Sequence, residues 1–293
     1  MRADVQALAY VMRRPTRVRP EVVVAFYRDV LGLPVAADHG SVVQHWLGQN
    51  SLLKLTFGDD PERREGDPGS AACVPVLLSR SLNRTVARLR GAGCEPVGSA
   101  DGPCGRTVFV RGPDDLLTGI EQRTAGSPWP ADRWAREQPA GTPFRLADLP
   151  ALPADLQHLS RIHVRCPDVV AMTGFYRALG LDVLGSDGDA VLVDLGEHVT
   201  LSIGPGGAGH PPAASRAELP TSITLRVLDL DALLADLQAV GIAATGRVED
   251  YPNGTRIAYV GDPAGGLVGL AQRETSEEIE DVEARRRRKA ALS

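Results

Sequence analysis

The sequence has few cysteines, few aromatic residues and no long apolar run, and each shortage excludes a class of protein. The four cysteines among 293 residues show no CxxC spacing, which argues against a zinc knuckle or a redox motif. No apolar stretch approaches the roughly 18 residues of a membrane span. The N-terminus also lacks the apolar segment of a signal peptide. We therefore expect a cytoplasmic protein without a membrane partner, whose cysteines are reduced core residues.

Charge and motifs exclude further classes. The net charge of −5 gives no basic surface of the kind that binds nucleic acid, so we expect no nucleic-acid partner. The sequence has neither a GxSxG motif nor a Walker loop, which argues against serine-nucleophile and phosphate-loop catalysis. A hydrophobic content of 43% with 24% charged residues is typical of globular proteins, and the length is sufficient for two domains.

One hairpin sequence occurs twice, 150 residues apart. FVRGPDDLLTGIEQR ends at Arg123 and YVGDPAGGLVGLAQR ends at Arg273, with matching proline, glycine and Gln-Arg positions. Each reads as a strand, a tight turn and a second strand. Such a repeat indicates a duplicated domain.

The order of strand, helix and three strands recurs four times. The predicted helices are Glu21–Val30, Leu82–Gly91, Val169–Leu179 and Leu230–Val240, and a short apolar strand precedes each of them. The pattern predicts an α+β fold of four βαβββ modules. We assign modules 1 and 2 to an N-terminal domain (1–123) and modules 3 and 4 to a C-terminal domain (156–273). A proline-rich linker (124–155) lies between the domains, and a charged tail (274–293) follows them.

Five motifs at equivalent module positions resemble the vicinal oxygen chelate superfamily, which includes glyoxalase I, bleomycin-resistance proteins and extradiol dioxygenases. They are FYRDVLGL (26–33), ARLRGAG (87–93), FYRALGL (175–181), ADLQAVG (235–241) and YVGDPAGGLVGL (259–270). Together they cover nearly the whole chain. The resemblance implies two glyoxalase-like domains with cup-shaped mixed sheets, each built from two modules, with a metal ion in the cup.

The metal ligands of that family are a His or Glu on the first strand and a Glu on the last strand of a module. The matching positions here are Met12, Val74, Arg161 and Ser222 on first strands, and Lys54, Gly119, Thr200 and Gly269 on last strands. None is a metal-binding side chain, and Lys54 and Arg161 would repel a cation. We therefore predict no metal and no cofactor. A displaced site that uses His163, Glu121, His198 or His210 remains the alternative.

The dioxygenase signature of the family matches only in part. Tyr259 corresponds to its tyrosine, Tyr251 stands near the expected His, and Gly269 replaces its closing Glu. Ring cleavage needs a metal that binds the catecholate and oxygen together, so this chemistry is in doubt.

Strand alternation predicts which side chains line the cups. A glycine at position 269 would leave space for a flat ring, and arginine presents a fixed fork to carboxylates. The alternative is that the arginines pair with acids such as Asp194, Glu197 or Glu249. The predicted C-terminal cup contains Arg161, His163, Arg165, Thr200, Ser202, Ser222, Thr224, Arg226, Tyr251, Tyr259 and Gly269.

The predicted N-terminal cup is more aromatic. Tyr10 and Trp46 could stack on an aromatic ligand or fill a core. Lys54 either contacts the ligand or pairs with Glu121 across the cup.

These features predict metal-independent binding of a small aromatic or anionic molecule, as in drug-binding resistance proteins and proteins of bacterial secondary metabolism. One alternative is a glyoxalase- or dioxygenase-type enzyme with a displaced metal. Another is metal-free acid–base catalysis by His163 or Tyr259 beside Arg161. A third is a structural protein whose cups are filled by side chains. Whether modules pair within one chain or between two chains of a homodimer stays open.

Overall fold

The computed structural model describes residues 5–15, 18–48, 51–58, 73–102, 105–124, 152–196, 199–206, 221–252 and 254–273. The four predicted modules are present, and each helix follows the first strand of its module. The charged tail and most of the predicted linker lie outside the described residues. Within those ranges, no helix is long and apolar enough to cross a membrane.

The first half of the chain contains modules 1 and 2. Module 1 consists of β1 (Val5–Arg13), α1 (Pro20–Ala25), β2 (Val35–Asp38), β3 (Val42–Trp46) and β4 (Leu52–Thr56). Module 2 consists of β5 (Val74–Ser79), α2 (Leu82–Gly91), β6 (Pro96–Gly102), β7 (Gly105–Arg111) and β8 (Leu117–Arg123). The residues after α1, Phe26–Val30, form a π-helical turn, so the predicted first helix is two short elements.

The second half repeats this order. Module 3 consists of β9 (Leu156–Cys166), α3 (Val169–Ala178), β10 (Val183–Asp187), β11 (Ala190–Asp194) and β12 (Thr200–Pro205). Module 4 consists of β13 (Thr221–Val227), α4 (Leu230–Ala239), β14 (Glu249–Asp250), β15 (Thr255–Gly261) and β16 (Leu267–Arg273).

The strands form two curled eight-stranded mixed sheets, which confirms the predicted fold class. Sheet A has the order β14-β15-β16-β13-β1-β4-β3-β2, and sheet B has the order β10-β11-β12-β9-β5-β8-β7-β6. Sheet A therefore combines modules 1 and 4, and sheet B combines modules 2 and 3. The predicted pairing of 1 with 2 and of 3 with 4 was wrong. All four modules offer a similar first strand for pairing, and module periodicity contains no information about which two will meet.

The seams between modules have the same geometry in both sheets. The first strands pair antiparallel with each other, β1 with β13 and β5 with β9. Each first strand also pairs in parallel with the last strand of its own module. Irregularities in β1 and β9 connect the sheets: Leu8 N donates to Leu195 O, and Leu159 N donates to Leu47 O, both at 2.8 Å.

The main apolar core lies on the helix-facing side of both sheets. In sheet A it takes Val11, Leu53, Ile223 and Leu270, which alternate with residues of the opposite face. That opposite face of sheet A carries a separate apolar cluster, whose members are Ile257, Tyr259, Leu267 and Ala271 with Tyr251 beside them. We call the faces opposite the helices cup A and cup B.

A buried arginine joins the two halves of this core. Arg13 is 1% exposed and donates to the Tyr27 hydroxyl, to Thr118 Oγ1 at 3.2 Å and to the Leu117 carbonyl. Tyr27 in turn donates to Asp114 Oδ2 at 3.1 Å. Burial raises the pKa of Tyr27, so the phenol stays protonated and can donate. Arg13 therefore belongs to the core rather than to the surface.

The repeated Gln-Arg dipeptide has a structural explanation. Gln122 Oε1 accepts a hydrogen bond from Leu82 N at 2.8 Å, and Gln272 Oε1 accepts one from Leu230 N at 2.9 Å. Each glutamine thus satisfies the first backbone N–H of its own module's helix. Asp229 adds a bond from Ala232 N at the start of α4.

Candidate functional site

Module pairing divides the predicted site residues between two cups. Cup A receives Trp46, Lys54, Ser222, Thr224, Arg226, Tyr251, Tyr259 and Gly269. Cup B receives Arg161, His163, Arg165, Thr200 and Ser202. The expectation that three arginines share one cup was wrong, because Arg226 lies in a different sheet from Arg161 and Arg165. The proposed catalytic set is divided too, since Tyr259 is not in the sheet that holds His163 and Arg161.

The centre of cup A is formed where the first strands of modules 1 and 4 meet. Ser222 lies opposite Met12, and Thr224 lies opposite Tyr10. On its other side Thr224 lies beside Gly269, which in turn lies opposite Tyr259. Ser222 and Thr224 are 2% and 0% exposed. Two hydroxyl side chains therefore lie at the buried floor of the cup.

Hydroxyl groups on this face of sheet A are left without a partner by the part of the chain that the structure describes. Among the described residues, Ser222 Oγ, Thr224 Oγ1 and Thr56 Oγ1 are buried without a hydrogen-bond partner. Thr56 is on β4, two residues after Lys54, and so lies on the same face of the sheet. A buried hydroxyl without a partner costs about 1–3 kcal/mol. Three of them on one face form a polar surface whose hydrogen-bonding capacity the described residues do not use.

Gly269 fixes the position of the Thr224 hydroxyl. A Cβ built on Gly269 would come within 2.6 Å of Thr224 Oγ1 and within 3.2 Å of its Cγ2. The hydroxyl therefore lies over the glycine on the cup side, where a larger residue would displace it. The space that the missing side chain of Gly269 leaves is therefore occupied by Thr224, and the predicted role of Gly269 in leaving room for a ring stays a prediction.

Lys54 and Tyr10 form the module 1 side of cup A. The Lys54 ammonium lies 4.9 Å from the centroid of the Tyr10 ring, within cation–π range. Lys54 pairs in register with Met12 and Gln44, and Trp46 lies one step further along β3 on the same face. Both Lys54 and Trp46 are half-buried. The alternative in which Lys54 pairs with Glu121 was wrong, because Glu121 belongs to sheet B.

The module 4 edge of cup A carries an acid and a second tyrosine. Tyr251 donates to Glu249 Oε2 at 2.5 Å, and Glu249 lies opposite Ile257 on β15. Arg226 follows Thr224 on the same face of β13 and is half-buried. The edge of the cup is therefore more polar than the Ile257–Tyr259 cluster beneath it.

Cup B is organised differently, around a buried ion cluster. Arg161 donates through Nε to Glu121 Oε2 at 2.7 Å and through Nη2 to the same oxygen. Its Nη1 also donates to Asp187 Oδ2 at 3.2 Å. The side chains of Arg161, Glu121 and Asp187 are 11%, 3% and 9% exposed. Arginine pairing with acids was the alternative that the sequence left open, and Arg161 pairs in this way, with Glu121 and Asp187 as its partners.

Glu121 is held by a further donor. Ser160 Oγ, completely buried at a β9 irregularity, donates to Glu121 Oε1 at 2.5 Å. Arg123 Nε lies 3.5 Å from the same oxygen. Sequence reasoning missed Asp187 and Ser160, because neither occupies a family ligand position and module pairing was assigned wrongly.

His163 is the titratable group at the centre of cup B. Its Nδ1 lies 3.3 Å from Ser202 Oγ. Burial, with the nearby charges of Arg161 and Arg165, lowers the pKa of His163 to about 4. The imidazole is therefore neutral near pH 7. Thr200, opposite Arg161 in the register, is 1% exposed, whereas Arg165 is exposed.

The register refines the comparison with the family's metal positions. Arg161 pairs with Thr200 on one neighbouring strand and with Val76 on the other, and Val76 pairs with Gly119. The position of module 2 that is equivalent to Arg161 is therefore Val76 and not the predicted Val74. Among the described residues, no group of three or more His, Cys, Asp or Glu side chains is arranged to hold a metal ion. His198, His210 and Glu197 lie outside the described residues.

Comparison with known proteins supports the fold. No family model matches the sequence, and no curated relative matches it. A proposed dioxygenase from Bacillus subtilis subsp. subtilis str. 168 has a similar structure, with a TM-score of 0.64, 14% identity, and coverage of 93% of this chain and 87% of that one. Glyoxalase I from Zea mays gives a TM-score of 0.60 at 15% identity over 95% of each chain.

Proposed function

We propose that this chain, which has the vicinal oxygen chelate fold, binds a small aromatic or anionic molecule in cup A without a metal ion. The observation that carries the proposal is the set of buried hydroxyls of Ser222, Thr224 and Thr56, none of which has a hydrogen-bond partner among the described residues. Such a surface gains hydrogen bonds when a ligand enters, and this gain is specific for a ligand with polar atoms.

Aromatic side chains around these hydroxyls favour a flat ligand. Tyr10 and Tyr259 lie on the strands that flank Thr224 and Gly269, and Trp46 lies at the half-buried edge. Rings of this kind contribute large contact areas with little loss of side-chain entropy. Binding by shape, stacking and hydrogen bonds needs no Lewis acid.

Cup B is the less suitable site for an anionic ligand. The Arg161 guanidinium already has Glu121 and Asp187 as partners, and an incoming carboxylate would have to displace them. Removing one partner from a buried ion pair is strongly unfavourable. This argument also weighs against Arg161 as an oxyanion stabiliser for His163, which was the metal-free enzyme alternative.

The test is a thermal-shift screen of small aromatic acids, phenols and amides, followed by calorimetric titration of the hits. Thr224→Val should weaken binding of a hit about tenfold, because a hydrogen bond inside a ligand site is worth about 1.4 kcal/mol or more. Thr200→Val is the matched control: it changes an equally buried threonine in cup B and should leave the affinity unchanged. Equal effects of the two substitutions, or a loss only with Thr200→Val, would contradict the assignment.

A further inference from the structure

We propose that Lys54 supplies a positive charge to a ligand in cup A, and that the ligand is an aromatic molecule with an oxyanion held between Lys54 and the hydroxyls of Thr224 and Ser222. This inference rests on the proposed function and narrows its ligand to aromatic carboxylates and phenolates. The inference concerns non-covalent binding alone.

The position of the ammonium is the first support. Lys54 comes from β4, but its Nζ lies over the ring of Tyr10 on β1, 4.9 Å from the centroid. The side chain thus extends along the floor of the cup toward the seam rather than away from the sheet. Tyr10 lies directly opposite Thr224 on β13. Adjacent strands are about 4.8 Å apart, so the ammonium and the Thr224 side chain lie on neighbouring positions of one surface.

The second, independent support is the pair of hydroxyls. Ser222 Oγ and Thr224 Oγ1 are completely shielded donors, without a partner among the described residues, and they lie two residues apart on one face of β13. A hydroxyl can rotate to donate, and hydrogen bonds to a charged oxygen are roughly twice as strong as neutral ones. A carboxylate has two oxygens that can accept from two such donors while facing an ammonium.

The strand beside Thr224 carries small residues on the face of cup A. Gly269 has no side chain between Thr224 and Tyr259, and Ala271 follows it on the same face. A ring placed over Gly269 would contact Tyr259 and Ala271 while its oxyanion reached Thr224. Cup B is built differently, since its central cation, Arg161, pairs with the carboxylates of Glu121 and Asp187.

The experiment uses two probes of nearly the same shape, benzoate and benzamide, which differ in charge. Their dissociation constants are measured by ligand-observed NMR or calorimetry on the full chain. The wild-type protein should bind benzoate at least about tenfold more tightly than benzamide. Lys54→Met should remove this preference and leave benzamide binding unchanged, and Lys54→Arg should retain most of it. Arg28→Met removes the same charge from an exposed position and serves as the control.

The outcomes separate the inference from the proposed function. Equal binding of the two probes by the wild-type protein, weakened by Thr224→Val, would overturn the role of Lys54 and leave cup A as the binding site. A preference for benzoate that persists in Lys54→Met would also overturn it. Failure of both probes to bind would overturn the inference together with the aromatic ligand of the proposed function. A melting curve of each variant checks that the fold is retained.

Discussion

At the scale of single residues, the protein has buried hydroxyls that the described part of the chain does not satisfy. Thr224 and Thr85 on α2 are both fully buried, but of these two only Thr85 has hydrogen-bond partners within the described ranges. Thr85 Oγ1 lies 2.8 Å from Ser79 Oγ and donates to Ser81 O at 3.2 Å. The comparison distinguishes a structural hydroxyl from one that a ligand would complete.

We therefore predict opposite effects of the same substitution at the two positions. Thr224→Val should raise the free energy of unfolding by about 1 kcal/mol, since it removes an unsatisfied hydroxyl at nearly constant volume. Thr85→Val should lower it by about 1–2 kcal/mol, because Ser79 loses a partner. Urea denaturation of both variants and of the wild-type protein measures these changes in the free energy of unfolding. A loss of stability in Thr224→Val would mean that its hydroxyl is part of the folded network.

His163 gives a pH-dependent prediction. Its folded-state pKa of about 4 is below the ordinary value of 6.5, so between these values the unfolded chain binds more protons than the folded one. The stabilisation is therefore complete above pH 6.5 and is lost as the pH falls toward 4. Lowering the pH from about 7 to about 5 should cost about 2 kcal/mol through this group.

The measurement for His163 is urea denaturation of the wild-type protein and of His163→Gln at both pH values. The substituted protein should lose about 2 kcal/mol less than the wild type over that interval. Identical pH dependence in the two proteins would show that His163 is accessible to protons in the folded state.

At the scale of elements, each βαβββ module is held together by bonds that the repeat predicts. The repeated glutamines, Gln122 and Gln272, accept from the first backbone N–H of α2 and α4. Their repetition was visible in the sequence. Their structural role was not visible, because each hydrogen bond joins residues 40 or more positions apart and depends on which strand lies beside the helix.

Gln272→Ala should therefore destabilise the protein by about 1 kcal/mol, the usual cost of losing a helix N-terminal bond. Gln238→Ala, at an exposed position of α4, should change stability by less than about 0.5 kcal/mol. Chemical denaturation compares the two. If both variants behave alike, the Gln272 bond contributes nothing to the helix terminus.

Element identity was predictable, whereas element pairing was not. The α2 limits, Leu82–Gly91, agree with the prediction, since apolar spacing and terminal glycines are local signals. The prediction of an α-helix up to Val30 was wrong, because Phe26–Val30 forms a π-helical turn. This turn accompanies the packing of Tyr27 against the buried Arg13. A charged residue is rarely buried completely, and only its tertiary partners show that it is.

At the scale of the whole molecule, the central finding is that modules 1 and 4 share a sheet and modules 2 and 3 share the other. This arrangement places Lys54 and Tyr10 in cup A with Ser222 and Thr224, and it places Glu121 beside Arg161 in cup B. The face of the strand on which each of these side chains lies was predicted from strand alternation. Their grouping was not, because alternation gives the face of a strand but not its neighbour.

Cross-linking tests this pairing directly. The combined substitutions Met12→Cys and Ser222→Cys place thiols at paired positions of β1 and β13, where Cα separations suit a disulfide. Oxidation should give a cross-linked peptide between these positions in the monomeric protein. The combination of Met12→Cys and Val76→Cys, which the consecutive pairing would favour, should stay reduced. The reverse result would contradict the sheet assignment.

Metal-independent binding in cup A is the claim on which the functional account depends. Its most direct test is calorimetric titration of one screening hit into untagged protein before and after dialysis against a chelator, with metal content measured by mass spectrometry. We predict substoichiometric metal in both samples, the same affinity in both, and a loss of affinity with Thr224→Val. Stoichiometric metal whose removal abolishes binding, and whose return restores it, would contradict the account.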